Sequence, residues 1–191
     1  GSLPADVVHP ENTLVVGAGS MQLERLIAER GGTVTTVELD SIVVEASTQY
    51  FADYNLMDTL TNRAIVIDDA KHFIANTTQT FDLIVTDVPA AFSIQTATLY
   101  SVPFYEQIEQ KLGDDGVLVV NLTTRFEEDN IVSRRIVASA LDVFDDVVIV
   151  TSESSSLSYA FAGHTLPFDL VQFQAALEAN DENDYVIYQR A

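Results

Sequence analysis

Apolar residues along this chain come in short dense runs separated by stretches of helical spacing, and the alternation persists from end to end. The runs are TLVVGAG at 13–19, TVTTVELD at 33–40, RAIVIDD at 63–69, FDLIVTD at 81–87, GVLVVNL at 116–122 and DVVIVTS at 146–152. Each holds four to six apolar or β-branched residues, often without polar alternation, which is how strands covered on both faces read. Between them, LERLIAER at 23–30 sets Leu23, Leu26, Ile27 and Arg30 at helical spacing. Residues 42–53 place Val43, Ala46 and Tyr50 on one stripe behind Asp40 or Ser41 as a cap. Residues 102–112 group Phe104, Ile108 and Leu112, with Pro103 in the first turn, where its missing N–H is tolerated. Residues 127–141 align Val132, Ile136 and Ala140.

Strand followed by helix, repeated at this spacing, predicts a mostly parallel sheet with helices on both faces. After residue 152 the rhythm changes: 156–164 reads as a strand, a helix follows from about Pro167 to Ala179, and 185–189 is a last strand. The link at 153–155 is too short for a helical crossover, so the strand at 156–164 is expected to run antiparallel at an edge of the sheet. No repeat or low-complexity tract divides the pattern, and one α/β domain over 1–191 is expected.

Composition adds exclusions. With 47% hydrophobic and 9% aromatic residues, the chain has the core material that disordered acidic segments lack. Its 29 acidic side chains outnumber nine basic ones, for a net charge of −20. Neither a nucleic-acid backbone nor an anionic membrane surface is an expected partner at that charge. The charge is compatible with a cationic ligand and equally with an acidic, solvated surface. No apolar run approaches the roughly 18–20 residues of a bilayer span, and no signal peptide opens the chain, so a cytoplasmic protein is expected. The absence of cysteine rules out disulfides and thiolate metal sites. His9, His72 and His164 show no ligand spacing, and no metal is expected. The leading Gly1-Ser2 reads as an expression remnant.

The chemistry concentrates at strand ends, where open α/β sheets bind ligands. The first run ends in Gly17-Ala18-Gly19-Ser20, the second in Glu38-Leu39-Asp40, the third in Asp68-Asp69 and the fourth in Asp87. The glycine turn admits a ligand close to the backbone at a helix N-terminus, but Gln22 occupies the third glycine position of GxGxxG, and an ordinary strand-to-helix turn remains open. Glu38 lies 21 positions after Gly17, where a carboxylate accepts both hydroxyls of a ribose; its alternative is a solvated helix-capping acid. Asp69 is suited to accept a hydrogen bond from an exocyclic amine, with Asp68 facing solvent. Asp87, before Val88-Pro89, stands at the mouth of the sheet either to accept a proton or hold a cation, or simply to form a turn.

In order and spacing these segments resemble the polyamine aminopropyltransferase (spermidine synthase) family, within the Rossmann-like fold group of class I S-adenosylmethionine-dependent methyltransferases. HPENTLVVGAGSMQLERL at 9–26 is similar to the family's HPNP-like lead and GGGDGG loop, and VELD at 37–40 to its VEID. DDAKHFI at 68–74 resembles GDA-x-x-F-[LI], and FDLIVTD at 81–87 resembles YDVIIVD. LYSVPFYEQIEQKLGDDGVLVV at 99–120 resembles LYTEEFYE…LKPGGILVV. The resemblance implies that Gly17, Gly19 and Ser20 line the pocket of a nucleoside sulfonium co-substrate, decarboxylated S-adenosylmethionine or S-adenosylmethionine, with no metal. It implies Glu38 on the ribose hydroxyls, Asp69 on the adenine amine, and Asp87 as the group that orients and deprotonates a small cationic amine. A homodimer is open.

The chain departs from the family pattern in three places. Ser20 replaces the aspartate of the glycine loop, Met21 and Gln22 replace its last two glycines, and Ala90 stands near where a second amine-binding acid belongs. The resemblance starts at the first strand, so 1–191 is expected to be a single spermidine synthase-like, class I methyltransferase-like domain without the family's small N-terminal β-domain. Three activities fit the pattern: aminopropyl transfer, methyl transfer from S-adenosylmethionine, and a non-catalytic nucleoside-binding or interaction role.

Overall fold

The computed structural model describes residues 10–57, 59–89, 93–127, 129–152, 156–179 and 185–189. Ala90 and Glu128 lie outside these residues, as does the 153–155 link. The strands are β1 (Asn12–Val16), β2 (Thr33–Glu38), β3 (Arg63–Ile67), β4 (Phe81–Thr86), β5 (Leu112–Asn121), β6 (Asp146–Ser152), β7 (Ser158–Gly163) and β8 (Tyr185–Gln189). The helices are α1 (Gln22–Glu29), α2 (Ser41–Tyr50), α3 (Ala52–Asn55), α4 (Ala70–Asn76), α5 (Ile94–Thr98), α6 (Val102–Glu109), α7 (Ile131–Leu141) and α8 (Leu170–Ala179).

The eight strands form one sheet in the order β3-β2-β1-β4-β5-β7-β6-β8. β1 to β5 are mutually parallel, and β7 and β8 run against their neighbours. Chain order reverses between β1 and β4, and ligand crevices open at such switch points.

Both faces of the sheet are apolar, as the unalternating strand runs predict. Leu14, Val16, Ile84, Leu118 and Val120 point to a face covered by α4, α6 and α7, where Phe104, Ile108 and Ile136 are buried. Val15, Leu83, Val85, Val117 and Val119 point the other way, toward α1 and α8 with Ile27 and Phe173.

Several local expectations change. The strand at 156–164 is antiparallel but not at an edge: β7 lies between β5 and β6, and Ala160 and Ala162 are fully buried. β8 takes the edge instead. The helix expected over 127–141 starts at Ile131, because the Asn130 side chain accepts a hydrogen bond from Ser133 N (3.2 Å) and caps it there. The last helix starts at Leu170 rather than Pro167, since the Asp169 carboxylate accepts from the backbone N–H groups of Val171 and Gln172. Leu112 belongs to β5, not to the helical stripe of Phe104 and Ile108. Tyr50 is exposed, because α2 buries only Ser47. On α1 Ile27 is buried and Leu23 partly so, but Glu24 and Ala28 are buried beside Ile27 while Arg30 is exposed. The helix is thus turned so that a carboxylate faces the sheet.

Tyr105 is fully buried in the α4/α6/α7 layer, and its hydroxyl has no hydrogen-bond partner among the described residues. A buried unsatisfied hydroxyl costs about 1–3 kcal/mol. Tyr105→Phe is therefore expected to hold or raise the thermal midpoint; a drop in calorimetric Tm would show that the hydroxyl is satisfied.

Candidate functional site

The turn after β1 is shaped by left-handed backbone. Gly17 (φ 96°), Gly19 (φ 50°) and Met21 (φ 57°) all have positive φ, which costs a non-glycine residue strain. Met21 bears it because its side chain is almost fully buried and its N–H reaches Ala18 O at 2.9 Å. Gly17 has a second constraint. A Cβ there would overlap the carbonyl oxygen of Asp87 and come within 3.1 Å of its carbonyl carbon. The ends of β1 and β4 are that close because Asp87 N donates to Val16 O at 2.9 Å. Gly19 faces open space, and the buried Ser47 hydroxyl donates to its carbonyl.

The strand-end acids separate into distinct jobs. Glu38 is half-buried, and its two carboxylate oxygens accept from Ala18 N and Asp40 N, each at 2.9 Å. It therefore ties the glycine turn to the end of β2 and does not cap α2. That cap is Asp40, which accepts from Ile42 N at 2.8 Å. Each carboxylate oxygen keeps a free lone pair for a ligand. Asp69 caps α4 by accepting from Lys71 N at 2.8 Å. Asp68 lies at the surface, as expected, and accepts from the exposed His72 ring at 2.7 Å one turn on. That bond lowers the Asp68 pKa and raises that of His72.

Asp87 is exposed at the end of β4, and Asn121 Nδ2 donates to its Oδ1 at 2.7 Å. This bond joins the ends of β4 and β5 and gives Asp87 a fixed direction, so it is more than a turn residue before proline. The Tyr100 hydroxyl donates to Val88 O at 3.1 Å and holds the segment after Asp87. Burial and then the Asp87 charge push the Tyr100 phenol up to about 12. The same two causes, in that order, raise the Tyr159 phenol.

Strand register shows what lies beneath Asp87. Val15, Val85, Val119 and Phe161 are aligned across β1, β4, β5 and β7. Asn121, Tyr159 and Val150 are aligned one step nearer the strand ends of β4 and β5. Alternate residues of a strand share a face, so Asp87 stands on the same side as Val85, above an apolar floor. A cavity of about 400 Å³ opens there between α1 and α8, lined by Gly17, Ser20, Asp87 and Phe173 among others. Tyr159 and Tyr185 also line it.

One lining residue gave no signal as a site in the sequence. Glu24 of α1 is 3% exposed, and its carboxylate accepts from the Thr36 hydroxyl at 3.2 Å. Burial pushes its carboxyl up to about 7, with the Asp87 charge adding to the rise and Arg63 opposing it. The available signal was an acid on the stripe running through Ile27, which helical spacing alone cannot tell from a solvated neighbour. Asn121, Tyr100 and Tyr159 were likewise unmarked, because their proximity to Asp87 is made between segments distant in the chain.

A mostly parallel sheet, a glycine turn after β1 and acids at the next three strand ends define a protein of the Rossmann-like methyltransferase fold. Human methyltransferase-like protein 13 in complex with SAH superposes with a TM-score of 0.74 at 21% identity, over 93% of this chain and 85% of that one. A spermidine synthase in complex with the transition-state analogue AdoDATO superposes with a TM-score of 0.75 at 21% identity, over 87% and 60%. The spermine/spermidine synthase domain model matches residues 3–160, and the chain belongs to that family. The polyamine aminopropyltransferase of Enterobacter sp. (strain 638) is 32% identical over 114 residues, 58% of this chain and 39% of that protein. That of Thermoplasma volcanium is 31% identical over 111 residues, 58% and 40%. The chain thus spans about two fifths of the length of these relatives.

Two outcomes follow from this geometry. Gly17→Ala must move the Asp87 carbonyl and strain a left-handed backbone, so a loss of about 2 kcal/mol or more in chemical denaturation is expected. Glu24 is protonated more readily folded than unfolded, so the unfolded carboxyl ionises first as pH rises. Its contribution is whole below about 4.5 and is lost by about pH 7. Glu24→Gln keeps the shape without the charge and should gain on wild type by up to about 3 kcal/mol across that window, read as the stability difference at each pH.

Proposed function

We propose that the chain is a spermidine synthase-like transferase that moves the aminopropyl group of decarboxylated S-adenosylmethionine to a small cationic amine. The observation that carries this reading is the adjacency of two subsites. The glycine turn is bonded to Glu38, and the same turn touches Asp87, oriented by Asn121 above an apolar cavity.

The residues present fit a nucleoside. Glu38 offers free lone pairs to two ribose hydroxyls while two backbone N–H groups hold it still. Ile67, in register with Glu38, and Leu39 beside it are exposed apolar side chains suited to the flat faces of a base. Asp69, fixed as the cap of α4, is the acceptor for an exocyclic amine. Gly17, Gly19 and Ser20 leave room for the sulfonium end.

The co-substrate supplies an electrophilic carbon bonded to a positively charged sulfur. Asp87 accepts a proton from the acceptor's ammonium, leaving a nitrogen lone pair to attack that carbon. The new C–N bond forms as the C–S bond breaks, and the bonding pair leaves on sulfur as neutral methylthioadenosine. The Asn121 bond keeps the carboxylate aimed through the exchange, so proximity and proton transfer come from one side chain. The −20 charge of the chain also speeds encounter with a cationic acceptor.

Methyl transfer from S-adenosylmethionine is the second reading, and Ser20 favours it. An aspartate in the glycine turn repels the carboxylate of that cofactor, and a serine does not.

Thermal shift against both sulfonium compounds and methylthioadenosine separates the readings, because stabilisation grows with ligand concentration over Kd. Preference for the decarboxylated compound is expected; preference for the carboxylated one would favour methyl transfer, and no shift with any of the three would sink both. Asp87→Asn should lower kcat by about a hundredfold to ten-thousandfold while the methylthioadenosine shift persists. Activity surviving that change would remove Asp87 from its role.

A further inference from the structure

The cavity below Asp87 has a chemical asymmetry that the reaction itself does not require. Its floor is valine and phenylalanine from four strands, yet two carboxylates, Asp87 and Glu24, also line it. Asp87 is exposed at the mouth, and Glu24 is enclosed by the sheet and α1. A second buried acid is costly unless something compensates it. Within the protein the Glu24 carboxylate takes a hydrogen bond from Thr36, and the Arg63 charge acts on it. Among the described residues no ion pair reaches it.

We propose that Glu24 is the specificity-determining residue of the acceptor site, binding the far ammonium of a short diamine whose near nitrogen sits at Asp87 and whose methylenes lie on the apolar floor. This rests on the reading of Asp87 as the acceptor's proton-accepting group.

The dimensions suit such a ligand. Glu24 sits against Thr36, which is aligned through Val15 with Val85, two residues before Asp87. Two strand spacings and two residues of rise separate Thr36 from Asp87 by about 12 Å. Both acids line the same cavity, and a span of that order suits a short methylene chain between them. The two carboxylates already sense each other, since the Asp87 charge raises the Glu24 carboxyl. A dication between them relieves that repulsion and adds to the positive charge that Arg63 already offers Glu24. Tyr159 and Tyr185 in the wall offer aromatic surface to an alkylammonium. A monoamine satisfies Asp87 alone and leaves Glu24 buried with only the Thr36 hydroxyl bonded to it, so the site discriminates by an under-satisfied acid as well as by a bond made.

The test is calorimetric titration of the whole chain with putrescine and with n-butylamine, in the presence of methylthioadenosine. Wild type is expected to bind the diamine about tenfold to a hundredfold more tightly. Glu24→Gln should close that gap, and Glu24→Asp, which keeps the charge, should retain part of it. Equal binding of the two amines by wild type, or a diamine preference that survives in Glu24→Gln, overturns the inference. Titration reads binding without turnover. A Glu24-dependent preference in a chain that transfers nothing would therefore fell the aminopropyltransferase reading alone. Equal binding in an active chain would fell only the role of Glu24, and failure of both amines to bind would fell both.

Discussion

The close approach of Gly17 to the Asp87 carbonyl is the contact on which the site depends. Two parallel strands must end side by side, joined by the bond from Asp87 N to Val16 O, with no room for a Cβ between them. From that contact the glycine turn can only curl away through left-handed backbone, which brings Ala18 N onto Glu38 and buries Met21. It also sets Asp87 directly beyond the turn. One steric constraint therefore joins the glycine turn and Glu38 to Asp87, at the switch in strand order where ligand crevices open.

The two faces of the sheet divide the remaining labour. Under α4, α6 and α7 the packing is continuous, with Phe81, Phe104, Tyr105 and Ile108 all 2% exposed or less. On the other face α1 and α8 leave a cavity over the central strands. Rigidity on one side and space on the other come from the same strands, because successive residues of a strand face opposite ways. The filled face holds the strand ends in register, and the open face uses that register to stack Asp87 above Val85 and Asn121 above Val119.

Charge follows a similar division. Most acids serve the surface or helix ends, as Asp40, Asp69 and Asp169 do by capping α2, α4 and α8. Asp145 and Glu109 accept from the His164 ring and raise its pKa. Glu24 is the exception in kind: enclosed by apolar groups, it responds to burial before any neighbour.

Much of the fold was legible in the chain itself. Unalternating Val, Ile and Leu runs require cover on both faces, helical spacing between them supplies it, and a short link after β6 forces an antiparallel return. The glycine turn, Glu38, Asp69 and Asp87 stood at strand ends because local pattern marks where strands stop. Those signals are one-dimensional, and so was their reach. That β7 lies inside the sheet was settled by its pairing with both β5 and β6, which no local spacing encodes. That Glu24 is buried against the sheet beside Leu23 was settled by the rotation of α1, which begins at a left-handed Met21. The bonds from Asn121 to Asp87 and from Thr36 to Glu24 join residues 34 and 12 positions apart. Sequence by itself determined which residues could do chemistry at the strand ends; only tertiary packing decided which of them meet, because strand order, register and helix rotation are properties of contacts between segments and not of any segment alone.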